Sequence, residues 1–186
     1  MANGAKNAAP FLSSSAGIKA GDANVGLTLW KNLDKSKENM PDVTGYINKD
    51  GQKTYVVGWL IAGGTKEGKE YLPFISLRAD VPDGSGNYSR LLEGTGQGMN
   101  TYKGEPVTET HRSRLLANLK NVQTGETFVA SGYATEGLVN DEELAKALGF
   151  TTKIVGGTPK QEQPVDDGGV ADQQEHQESR RQNPRP

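Results

Sequence analysis

Asp50-Gly51 sits between two strand-like runs, Val43 to Asn48 and Lys53 to Ala62, and constrains the fold more than any other feature of the chain. A two-residue hairpin turn of type I′ needs positive φ at both central residues, which Asp-Gly accepts and most dipeptides do not. The surrounding stretch, Leu27 to Ala79, therefore reads as antiparallel β. Its run after the turn alternates Tyr55, Val57, Trp59 and Ile61 against Thr54, Val56, Gly58 and Leu60, so both faces are partly apolar. An earlier strand, Val25 to Asn32, sets Val25, Leu27 and Leu29 on one face and Thr28 and Trp30 on the other. Between them, residues 31 to 41 form a charged loop carrying Lys31, Lys35 and Lys37, closed by Pro41.

Further along, a turn at about Gly63 to Lys69 leads to a strand from Glu70 to Ala79. Pro73 removes a ladder donor there, which predicts an edge or a bulge. Residues 80 to 112 are rich in glycine with little periodicity and read as one long loop. Arg114 to Val122 and Glu126 to Ala134 flank Gln123-Thr124-Gly125, a further hairpin. Asn140 then caps a short helix, Asp141 to Leu148, with Glu143 in the capping-box position and Gly149 as its stop.

The ends differ in composition. Residues 1 to 24 hold only Phe11, Leu12 and Ile18 as sizeable apolar groups among Ala, Ser, Gly and Asn, which predicts a flexible arm. Residues 156 to 186 are dominated by Gln, Asp, Glu, Pro and Gly, which predicts a disordered tail. One domain, residues 25 to 155, is left between them. There is no signal-peptide-like apolar run and no stretch of membrane-spanning length, so a non-exported, cytoplasmic protein is expected.

Little enzyme chemistry is available to such a chain. It has no Cys and two His, so a thiolate site is excluded and a metal site would need carboxylates alone. Gly63, Gly68 and Lys69 match the spacing of a phosphate loop, but the next residue is Glu70 instead of Ser or Thr, and the flanks are strands. No catalytic residue, cofactor or metal is assigned, and the chain is read as not an enzyme.

Aromatics interleaved with cations carry the functional reading. Proteins that hold single strands use aromatic faces for bases and cations for the backbone. The candidate nucleic-acid-binding residues are Trp30, Lys31, Lys35, Lys37, Trp59, Lys66, Lys69, Tyr71, Phe74 and Arg78. Two readings compete for the aromatics: Trp59 and Tyr55 alternate with Val57 and Ile61 as core residues do, and Trp30 stands isolated on its face. A formal net charge of −2 means that any basic surface must be local.

The motifs LWKN, PDVTG and GKEYL between Leu27 and Leu77 resemble those of small phage and bacterial OB-like single-stranded DNA-binding proteins. That resemblance implies Trp30, Lys31, Trp59 and Tyr71 as pattern positions and a role in DNA replication, recombination or repair in a bacterial host cell. Two departures stand beside it: the chain ends RRQNPRP where such proteins carry an acidic tip, and no helix separates the third and fourth strands. The expected fold is mainly β, an OB-like antiparallel barrel of five to six strands with one short C-terminal helix and disordered termini. Expected partners are single-stranded DNA, replication proteins at the tail and, through a strand edge, a second copy. The alternative is a non-enzymatic protein-interaction or virion-associated module.

Overall fold

The Asp50-Gly51 turn takes the form that the dipeptide demands, with φ of 52° and 83°. In the computed structural model, which describes residues 9–14, 25–102, 104–106, 113–151 and 153–156, this turn anchors a closed barrel. The predicted tail beyond residue 156, and the arm at residues 1–8 and 15–24, lie outside the described residues. In chain order the elements are β1 (Leu12–Ser13), β2 (Val25–Lys31), β3 (Val43–Lys49), β4 (Gln52–Ile61), β5 (Gly64–Lys66), β6 (Lys69–Tyr71) and β7 (Phe74–Pro82). There follow β8 (Tyr88–Met99), β9 (Thr101–Tyr102), β10 (Glu105–Pro106), β11 (Arg114–Asn121), β12 (Thr127–Ala134), α1 (Glu136–Val139) and α2 (Glu142–Ala147).

Each long strand pairs with the next one along the chain, in the order β2-β3-β4-β7-β8-β11-β12. An even number of antiparallel steps leaves the last strand running the same way as the first. The direct β12–β2 pairing is accordingly parallel and is confined to Ser131 opposite Gly26. β1 fills the rest of the seam and is antiparallel to both neighbours, with Leu12 opposite Ala134 and Leu29. The barrel thus has eight strands and not five to six. Its strand order is an up-and-down meander, whereas an OB barrel is a Greek key.

Three expectations about extent are corrected here. Residues 9–14 are wall rather than arm: Phe11 and Leu12 are 4% and 0% exposed. The run from Glu70 to Ala79 is split at Pro73 into β6 and β7, because Pro73 has no amide hydrogen to pair. The described residues of the stretch 80 to 112 are largely strand, since β7 continues to Pro82 and β8 spans 12 residues. Glycine hides β8: a Cβ on Gly96 would stand 2.7 Å from Leu115 Cδ2, and one on Gly98 2.5 Å from the Phe150 ring. Small residues are required where the wall is this close to the core, and they erase the apolar alternation that marks a strand.

Leu27, Leu29, Val43, Ile47, Val56, Ile75, Leu77, Leu115 and Ala117 fill the interior. Charges at Arg78, Asp80, Glu93 and Lys120 stand on the wall, the inverse of the apolar-out pattern of a membrane barrel. No described helix is long and apolar enough to cross a membrane.

The connections β2–β3, β4–β7 and β8–β11 leave from one end of the barrel, and the chain emerges from β12 at that same end. There α1 and α2 close the core with Leu138, Leu144 and Leu148. Gly149 stops α2 with φ of 85°, as expected. The cap is Asp141 rather than Asn140, and α1 is an additional helix.

Asp141 accepts from the Leu144 amide at 3.0 Å and from Lys31 Nζ at 3.0 Å. Those bonds, the Leu144 amide first, hold its carboxyl below the usual carboxylate range. A lowered folded pKa stabilises the fold at neutral pH, and that contribution is lost as pH falls through the lowered value. Asp141→Ala should therefore cost about 1 kcal/mol at pH 7 in urea melts, with the gap to the parent narrowing at about pH 3. A gap independent of pH would show that the carboxylate contributes nothing.

Candidate functional site

On a barrel the side chains of each strand alternate between core and outer wall, so one hairpin register decides which residues share the surface. In the β3–β4 hairpin, Tyr46 lies opposite Tyr55 and Asn48 opposite Lys53. Ile47 and Val56, their neighbours, are buried, which turns Tyr46 and Tyr55 outward. β2 adds Thr28 opposite Tyr46 and Trp30 opposite Thr44. Three rings consequently stand side by side on the outer wall. Trp30 and Tyr46 meet edge to face at 6.1 Å, and Tyr46 and Tyr55 at 5.7 Å. Tyr46 is 42% and Tyr55 51% exposed. Their exposure leaves part of each tyrosine ring accessible from outside the barrel.

Trp59 occupies the same wall, so the core reading of Tyr55 and Trp59 is overturned. The inner positions of β4 are Thr54, Val56, Gly58 and Leu60, and Gly58 is packed directly by Ile75, Leu77 and Val43. The more aromatic face is the outer one. Trp59 itself is partly covered: Arg78 Cζ lies 4.3 Å from its ring centroid, and its Nε1 donates to the Asn39 carbonyl at 3.1 Å. The loop between β2 and β3 is thereby folded against this wall. Asp42 secures it, accepting from the Leu60 amide at 2.9 Å.

Several predicted cations are already neutralised. Lys31 pairs with Asp141 at 3.0 Å and Lys35 with Asp42 at 2.6 Å. Arg78 Nε stands 3.3 Å from Asp80 Oδ2 without hydrogen-bond alignment, and Asp80 also takes Arg90 at 2.6 Å. Lys37, Lys66 and Lys69 are exposed and have no ion pair among the described residues. Lys66 and Lys69 face each other across the tip of the β5–β6 ribbon. At the ribbon's base Tyr71 meets Phe74 at 6.3 Å. The predicted residues thus fall into two groups: Trp30, Trp59 and Arg78 on the wall, and the ribbon residues with Lys31, Lys35 and Lys37 around one rim.

Sequence reasoning misses Tyr46 and Lys53. The signal is present, because a two-residue turn at 50 and 51 forces partners such as 46 and 55 to lie equally far from it on either side. A groove of about 440 Å³ on the outer face of β8, β11 and β12, lined by Thr95, Asn118, Lys120 and Phe128, contains none of the predicted residues. Among the described residues no group of three or more His, Asp or Glu is placed to hold a metal ion. No family model matches the chain, and neither a curated protein nor a solved structure matches it.

Proposed function

We propose that this protein binds single-stranded DNA with little sequence preference and serves DNA replication, recombination or repair in the cytoplasm of a bacterial host cell. The observation that carries the reading is the ladder Trp30–Tyr46–Tyr55 on the outer wall, in which Tyr46 and Tyr55 are half-exposed and Trp30 is partly buried. Bases stack on such rings, each worth about 1–3 kcal/mol, irrespective of sequence. Phosphates are met by the lysines without ion pairs among the described residues: Lys53 beside the ladder, Lys37 in the loop, and Lys66 and Lys69 on the ribbon. Lys31, Lys35 and Arg78 position the wall through their carboxylate partners and contribute less to phosphate binding. Trp59 braces the loop through Asn39, and Tyr71 with Phe74 supports the ribbon. The tail beyond residue 156 would recruit replication proteins.

A second reading has its own observation. With three of the predicted cations already ion-paired, the same aromatic wall suits a protein partner, which makes the chain a non-enzymatic interaction or virion-associated module.

Gel-shift titration of oligo-dT at several salt concentrations separates the two. Lys66→Glu with Lys69→Glu should weaken binding and flatten the slope of log K against log salt by about 1.4, at roughly 0.7 for each phosphate that is no longer neutralised. An unchanged slope would take the ribbon out of the interface, and no shift of any oligonucleotide would favour the protein-partner reading.

A further inference from the structure

Val57 is the outward residue of β4 between Tyr55 and Trp59, and Arg78 of β7 stands directly opposite it. Successive outward positions of a strand are about 7 Å apart, so Arg78 has an aromatic residue on either diagonal, within reach of a long side chain. It lies on Trp59, with Cζ 4.3 Å from the ring centroid. On its other flank, the residue opposite is Glu93 of β8, which pairs with Arg90 at 3.5 Å. Asp80 Oδ2 stands 3.3 Å from Arg78 Nε, and that nitrogen is enclosed. The inner end of the guanidinium is therefore held. The side chain is nevertheless 41% exposed, and with Nε enclosed that exposure falls on the stem and the outer part of the group.

A guanidinium so placed is more than a charge. It is planar, delocalised and weakly hydrated, and it stacks on flat rings where a lysine ammonium cannot. Trp59 takes one side of it and is itself pinned by the bond from its Nε1 to the Asn39 carbonyl at 3.1 Å, so the support beneath Arg78 is fixed. Trp59 is the one ring that Arg78 meets among the described residues. Asp80 offsets the charge of Arg78 and leaves its outer plane uncovered. Nucleobases stack on arginine planes as they do on aromatic rings.

We infer that the outer plane of Arg78 is a stacking platform for a nucleobase. Trp59, the guanidinium and the base form three layers, beside the base that stacks on Tyr55. The inference rests on the single-strand reading above and gives Arg78 a part in it that depends on shape instead of charge.

The test is a set of equilibrium titrations of the full chain, at several salt concentrations, with oligo-dT and with an abasic strand of equal length and equal phosphate number. The parent should bind oligo-dT more tightly than the abasic strand. Arg78→Lys keeps the charge and loses the plane, so it should weaken oligo-dT about fivefold or more, the lower end for one stacked base, with the salt slope unchanged. The loss should be confined to the strand that carries bases. Arg78→Tyr restores a flat surface without the charge and suits a strand, so it should bind oligo-dT more tightly than Arg78→Lys does. Thermal melts of both variants show whether the barrel is intact. Parent-like affinity of Arg78→Lys for oligo-dT, a loss shared equally by the abasic strand, or equal losses in the Lys and Tyr variants would overturn the platform and leave single-strand binding standing. Failure of the parent to bind any oligonucleotide would overturn the single-strand reading itself.

Discussion

Replacing Leu12 by Ala should cost about 2–5 kcal/mol of stability, and deleting residues 1–14 should leave a barrel that no longer melts cooperatively. Leu12 is fully buried in the seam between the first and last long strands, where the meander does not close on itself. β2 and β12 pair directly only at Ser131 and Gly26, so without β1 both expose unpaired backbone groups along the rest of their length. The segment's own bonds are specific. Phe11 donates to the Leu29 carbonyl at 3.0 Å, the Thr135 amide donates to the Phe11 carbonyl at 3.1 Å, and Thr135 Oγ1 donates to the Pro10 carbonyl at 2.7 Å. Deletion removes these bonds together with two core side chains, against a total stability of order 5–15 kcal/mol for a domain. Urea and thermal melts of Leu12→Ala and of the deletion measure the effect. A deletion variant that melts like the parent would mean that the seam closes without β1.

The second large effect concerns binding. Tyr46→Ala combined with Tyr55→Ala should reduce single-stranded DNA affinity by roughly 30-fold or more, the lower end of about 1–3 kcal/mol per stacked base for two rings. Stability should fall much less, because both rings are half-exposed and a cross-strand pair is worth about 0.2–1 kcal/mol. The contrast between a large binding loss and a small stability loss separates a ligand face from a packing face. Equal DNA affinity in the double variant would move the binding surface to the lysine ribbon; collapse of the fold would make the tyrosines structural.

Local chemistry with a fixed geometric consequence is legible in the sequence. Asp50-Gly51 sets the β3–β4 register, Gly125 the β11–β12 turn and Gly149 the end of α2, each with positive φ. Alternation in β2 correctly sets Trp30 opposite the aliphatic face. What stays hidden is what depends on remote partners. β1 reads as an arm because a few apolar residues in a polar stretch bury only where two distant strands leave a slot. β8 reads as a loop because Gly96 and Gly98 take positions where the core leaves no room for a side chain. The outward direction of Tyr55 and Trp59 runs against the hydrophobic pattern, since Gly58 on the inner face is packed by its neighbours' side chains. Neutralisation of Lys31 joins it to Asp141, 110 positions away, and no local reading could pair them.

The most direct measurement uses the Trp59→Phe variant, in which Trp30 is the single remaining tryptophan. Its fluorescence is followed while oligonucleotide is added at low salt and salt is then raised. If the outer wall of β2, β3 and β4 holds single-stranded DNA, Trp30 emission is quenched on addition and recovers as salt displaces the strand. Unchanged emission at oligonucleotide concentrations that saturate a gel shift would place the DNA elsewhere on the barrel. Unchanged emission with no gel shift would contradict DNA binding altogether.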